Sequence, residues 1–292
     1  MSQLDLEALL QRVPESNAAK SARRIFFNYL EEPLEERGYF HVDLMHGSGS
    51  SVLLRSSGIF FLLTARHVLS NNISLGFQNE SPFWVSVHSR PRWQSLLDFM
   101  FPRRTWNICE LIELELAGVD SEDICLIELF PPFPGASPDH FIDLDAGSSC
   151  FLMEHQYFDS QVLVACGYPF RLNSFSYGDP PEGFTHTTTV HKQLVPGLLR
   201  IQESREMFLS FCNSPTEITH EYLDGMSGGP ILNVMPDATE TKLAGIALSG
   251  SNNICRFYPS YAIYSAITRY QECSCQIVDP ASSLPGPKSD AE

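Results

Sequence analysis

A mainly β chain in two units, with helix towards each end, is what the hydrophobic pattern predicts, and three observations carry it. Between residues 39 and 248, short runs rich in β-branched and aromatic residues alternate with turn residues. The stretch from Phe130 to Pro138 carries Pro131, Pro132, Pro134 and Pro138, so it reads as a linker that divides those runs into two sets. Helical spacing marks the first forty residues and the run 261–270.

Taken in order, Leu6, Leu9, Leu10 and Val13 recur at helical intervals. After a break at Pro14, Ala18, Ala22, Ile25, Phe26 and Tyr29 mark one face of a second helix, with Ser16 or Asn17 as its cap. The first β set comprises 51–54, 59–64, 83–87, 112–116 and 124–129. The second comprises 161–165, 187–191, 198–201, 207–211, 230–234 and 243–248, and a closing helix covers 261–270. The expected organisation is a helical extension over 1–38, a first β unit over 39–130 and the linker over 131–140. A second β unit with its helix follows over 141–277, then a disordered tail over 278–292 containing Pro280, Pro285 and Pro287.

Composition narrows the function classes. With 43% hydrophobic and 18% charged residues among 292, the chain has ample apolar material for a core. A net charge of −16 argues against a broad nucleic-acid-binding face. The opening segment carries Asp5, Glu7 and Glu15 in place of a basic start and apolar run, so no export signal is expected. The most apolar stretch, from Gly58 to Ala65, is far shorter than the ~20 residues of a membrane span. The eight cysteines are scattered and lack paired metal-ligand spacing, so reduced thiols, no metal site and a cytoplasmic location are expected.

Three motifs carry chemistry. Gly225-Met226-Ser227-Gly228-Gly229-Pro230 flanks a serine with glycines, which allow the backbone to turn sharply and expose the hydroxyl. The amides of Gly225 and Ser227 would then aim at one oxyanion. An ordinary glycine-rich turn is the other reading of this motif. Thr64-Ala65-Arg66-His67 sets a histidine at a strand end, where a general base must be held rigidly. Asp123 opens the apolar run 124–129 and is placed to orient the histidine; Asp120 and Glu122 compete with it.

Together these motifs resemble the trypsin-like (chymotrypsin-fold) serine peptidases, and are similar to their HtrA-like and bacterial intracellular members. Thr64-Ala65-Arg66-His67, Asp123-Ile124-Cys125-Leu126 and Gly225-Met226-Ser227-Gly228-Gly229-Pro230 stand in the family's order of His, Asp, Ser. Gly47-Ser48-Gly49, Gly167-Tyr168-Pro169 and Ala244-Gly245-Ile246 support the match. The resemblance implies two six-stranded Greek-key barrels without a PDZ domain, and peptide-bond hydrolysis by His67, Asp123 and Ser227 without a cofactor. It also implies a substrate pocket with Glu221 at its base and Leu248, Ser249 and Gly250 in its wall. Where secreted zymogens of the family carry an aspartate that pairs with a new N-terminus, this chain has Met226.

Two further expectations concern partners. The segment 89–106 interleaves Arg90, Arg92, Arg103 and Arg104 with Trp93, Phe99, Phe101 and Trp106. It reads either as a helix and loop packed on the first barrel or as a partner site, as do the N-terminal helices. The competing function is a catalytically silent fold that binds protein.

Overall fold

The computed structural model describes residues 10–28, 45–46, 49–71, 83–90, 96–108, 121–173, 175–177, 186–202, 207–211, 223–234, 241–251 and 253–274. At the N-terminal end, Pro14 lies in a 3-10 turn, Val13–Glu15. The Ser16 hydroxyl then caps α1 (Asn17–Lys20) by accepting from Ala19 N at 3.1 Å. The second helix expected from Ser16 through Tyr29 is thus present but ends after this one turn. The chain then turns into strand β1 (Ala22–Asn28), so sheet begins well before residue 39. The reason lies in burial on both sides. Ile25 and Phe27 face the core of the first barrel, while Phe26 packs on the other side against Trp84 and Phe99. An alternating strand satisfies that demand; a one-faced helix does not.

The first barrel continues through β2 (Met45–His46), β3 (Ser50–Ser56), β4 (Ile59–Ala65), β5 (Phe83–Ser86), β6 (Phe99–Met100), β7 (Pro102–Asn107), β8 (Ile124–Leu129) and β9 (Ile142–Asp143). Hydrogen bonding runs in the order β6-β5-β1-β3-β4-β8-β7, with β2 on β1 and β9 parallel to β3. The two ends of this path, β6 and β7, are neighbours in the chain, interrupted only at Phe101 before Pro102, which has no N–H to give. Counted as one bent strand, they close a ring of six. A 3-10 turn over Leu96–Asp98 leads into this strand, so residues 99–107 are barrel wall and not a surface helix. Phe99 packs edge-on to Phe26 at 6.0 Å, and Arg103 donates to Glu128 at 2.8 Å. Arg92 and Trp93 lie outside the described residues, as do Leu6, Leu9, the run 112–116 and the tail.

Residues 131–140 form no helix or strand, and β9 beyond them still pairs with β3, so the first sheet extends past residue 141, where the second unit was expected to begin. Then come β10 (Val162–Gly167), β11 (Phe175–Tyr177), β12 (His186–Thr188), β13 (Gln193–Ile201), β14 (Met207–Ser210), β15 (Pro230–Asn233), β16 (Lys242–Ser251) and β17 (Ile254–Pro259). A closed six-stranded barrel forms in the order β10-β13-β14-β17-β16-β15, with β11 and β12 paired apart from it. The fold is thus the chymotrypsin-like double barrel. The short helix α2 (Arg66–Ser70) follows β4. The last helix, α3 (Ser260–Ser274), packs on β16 and β17, and its Ala262, Ile263, Ala266, Ile267 and Tyr270 join a cluster formed by the first-barrel core together with Leu243, Ile246, Leu248 and Tyr258 of the second.

The segment 13–24 seals the seam between the barrels. Val13, Ala18, Ala19 and Ala22 pack on Val164, Cys166, Tyr168 and Leu232 of the second barrel. Arg23, completely buried, donates to Ser86 O at 3.0 Å, to His140 O at 2.8 Å and to Asp139 at 3.2 Å. Arg24 reaches the other way, to Asn173 Oδ1 at 3.4 Å; burial lowers its pKa to about 10. Cys125, Cys150, Cys166 and Cys255 are free thiols. Burial pushes Cys125 and Cys255 up to about 12 and Cys166 to about 11. Among the described residues no group of side chains could hold a metal ion, and no helix is long and apolar enough to cross a membrane.

Candidate active site

Strand register brings the first two residues together. β4 and β8 run antiparallel with Ala65 opposite Ile124, so the residues just past β4 lie beside the residue just before β8. Those are His67, in the first turn of α2, and Asp123, the last residue of a 3-10 turn. An amide in a helix's first turn has no partner within the helix. His67 N–H donates to Asp123 Oδ1 at 2.8 Å, and His67 Nδ1 lies 2.6 Å from Asp123 Oδ2. One carboxylate thus fixes both the backbone and the ring of one histidine. Val68 and Leu69, both 4% exposed, anchor α2 in the core. Glu122 is exposed, and Asp120 lies outside the described residues.

The serine comes from the second barrel, on a loop between Leu223 and β15. Gly225 and Gly228 both have left-handed backbones, at φ +84° and +80°. Gly228 is needed for space as well. A Cβ there would lie 2.2 Å from Ser50 O and 2.3 Å from Thr64 Oγ1. That contact sets the loop directly on the Thr64–Ala65 end of β4, which leads into His67. Within the loop, Met226 N–H donates to Leu223 O at 2.9 Å, Gly228 N–H to Ala247 O at 2.7 Å and Gly229 N–H to Met226 O at 2.9 Å. Among the described residues the amides of Gly225 and Ser227 have no acceptor. Ahead of them, the carbonyl of Asp224 accepts from Phe170 N at 2.8 Å.

The hydroxyl of Ser227 donates to Leu248 O at 3.0 Å, not to His67. The His67–Asp123 pair is therefore assembled while the serine is turned towards β16. Leu248 is buried, Ser249 exposed and Gly250 half-buried at the end of β16, past a register shift between Ala247 and Ser249. Leu223 packs on Gly250, where a Cβ would lie 2.6 Å from Leu223 Cδ1. Glu221 lies outside the described residues.

Sequence reasoning did not single out Ser50 or Phe170. Ser50 directly follows the Gly47-Ser48-Gly49 motif, but no pattern in the sequence marks a residue that hydrogen-bonds across the barrel interface.

Fold and site together define a class of molecule: two β-barrels, one presenting an aspartate-bound histidine, the other a glycine-flanked serine beside two unoccupied amides. No protein-family model matches the chain, and no curated protein is significantly similar to it.

Proposed function

We propose that this protein is a trypsin-like serine endopeptidase acting on protein or peptide substrates in the cytoplasm, without a cofactor. The observation that carries the reading is the doubly bonded Asp123–His67 pair, set beside a serine loop with two free amides. With Asp123 accepting the Nδ1 proton, Nε2 is left unprotonated and able to take the Ser227 proton as Oγ attacks the scissile carbonyl. The amides of Gly225 and Ser227 receive the oxyanion. His67 then returns the proton to the leaving amine, and water, activated by the same histidine, hydrolyses the acyl-enzyme. The acyl side of the substrate lies along Leu248, Ser249 and Gly250.

A second reading is a catalytically silent fold that binds protein. The hydrogen bond from Ser227 Oγ to Leu248 O favours it, because that bond withholds the hydroxyl from His67. A fluorophosphonate probe separates the two. The peptidase reading expects labelling of the native protein, none of Ser227→Ala, and Ser227-dependent turnover of a peptide library. An unlabelled native protein would leave the binding module standing.

A further inference from the structure

Both amides assigned to the oxyanion belong to the second barrel, yet the residue that fixes the peptide between them comes from the first. Ser50 opens β3, pairs with Arg24 of β1 and is completely buried. Its N–H donates to Ser227 O at 3.0 Å, and its carbonyl accepts from Thr64 Oγ1 at 2.8 Å. Its hydroxyl donates to Gly225 O at 2.8 Å and accepts from Tyr168 N at 2.8 Å. One small side chain thus joins the serine loop to the end of β10, across the barrel seam.

Gly225 is where this matters. Its backbone, at φ +84°, has the freedom that glycine gives on both sides. The preceding peptide is held by Phe170 N–H on the carbonyl of Asp224. The following one is held by Met226 N–H on Leu223 O and by the Ser50 hydroxyl on the carbonyl of Gly225. That second peptide lies between the two free amides, so its orientation sets their common aim. Without the hydroxyl, the Gly225 carbonyl and the Tyr168 N–H both lose a buried partner, and the loop can relax by turning about Gly225.

We propose that Ser50 is a positioning residue: its hydroxyl fixes the Gly225–Met226 peptide and makes the aim of both amides depend on how the first barrel docks on the second. The kinetic consequence rests on the peptidase reading; the effect on the loop does not.

The test compares the native chain with Ser50→Ala and with Ser50→Cys, which is nearly isosteric but a weaker donor. Losing a whole oxyanion donor costs about 10²–10³ in kcat, so misaiming should lower kcat about 10- to 100-fold in Ser50→Ala with KM within about twofold. A peptide boronate, which forms a tetrahedral anion on Ser227, should lose affinity by a similar factor. An unreactive peptide of the same sequence should bind unchanged. Ser50→Cys should fall between, and amide exchange over residues 223–229, read by mass spectrometry, should quicken in the same order. Native kcat in folded Ser50→Ala, or equal losses for boronate and inert peptide, overturns the proposal. If Ser50→Ala does not fold, Ser50→Cys decides by the same split between kcat and KM. If the native protein shows no Ser227-dependent turnover, the peptidase reading falls, and unchanged exchange in the variants then overturns the role of Ser50 by itself.

Discussion

Asp123 accepts one bond from the backbone and one from the ring of the same histidine, and that geometry makes a sharp demand on any replacement. In Asp123→Asn the fixed His67 N–H claims the amide oxygen, so the amide NH2 must face Nδ1. The ring is then driven to carry its proton on Nε2, where it cannot accept one from Ser227. We expect kcat to fall by about 10³–10⁴ while the thermal midpoint barely moves; a loss under about tenfold would contradict the role given to Asp123. Met226 supports a second expectation. It is 1% exposed, and its side chain belongs to the core of the second barrel. No carboxylate stands there to pair with a newly cut N-terminus, so labelling of Ser227 should not require trimming. Intact chain with a blocked N-terminus should label at the rate of trimmed chain, and labelling only after cleavage would count against this.

Among the elements, α3 is the one that reaches from the second barrel to the first. Its Tyr270 hydroxyl donates at 3.0 Å to Glu128, which is 4% exposed on β8 of the first barrel and also accepts from Arg103. The Tyr270 ring stands edge-on to Phe61 at 5.7 Å. Tyr270→Phe keeps the ring and removes one bond to a buried charge. It should destabilise the protein by about 1–3 kcal/mol, seen as a lower urea midpoint at unchanged slope. An unshifted midpoint would mean that α3 does not depend on the first barrel. β1 is the element misjudged from its spacing. The spacing of Ala18, Ala22, Ile25 and Phe26 does fit a helix face, but Phe27 must also be buried, and a helix would turn it away. Strands that are short continuous apolar runs between turn residues, such as β4 and β8, were legible nearly to the residue.

At the scale of the whole molecule, three buried thiols report on three separate interfaces. Cys125 lies in the core of the first barrel and Cys255 in that of the second, while Cys166 lies in the smaller cluster under residues 13–22. With their pKa values pushed up to about 11–12, hardly any thiolate exists at pH 8, and burial excludes reagent as well. All three should resist alkylation in the native protein. The seam is covered by one short segment and gathers fewer buried apolar residues than either barrel core, so it should open first as urea is raised. Cys166 should then be alkylated at lower urea than Cys125 and Cys255, as mass spectrometry of the digested protein would show. Simultaneous alkylation of all three would mean that seam and barrels melt as one unit.

The sequence by itself determined the class of fold and the short motifs that contain His67, Asp123 and Ser227. These depend on local chemistry: alternating apolar runs, glycines where the backbone turns left-handed, an acid just ahead of an apolar strand. Only the tertiary structure decided that β1 is a strand, that α3 reaches the first barrel through Tyr270 and that Ser227 donates to Leu248. It alone also showed that Ser50 ties the serine loop to the other barrel. Each of these depends on how segments far apart in the chain come to lie against one another. The period of a segment records which of its own faces is buried, but not what buries it. A hydrogen bond such as that from Ser50 Oγ to Gly225 O, 175 positions apart, exists only once both barrels have docked.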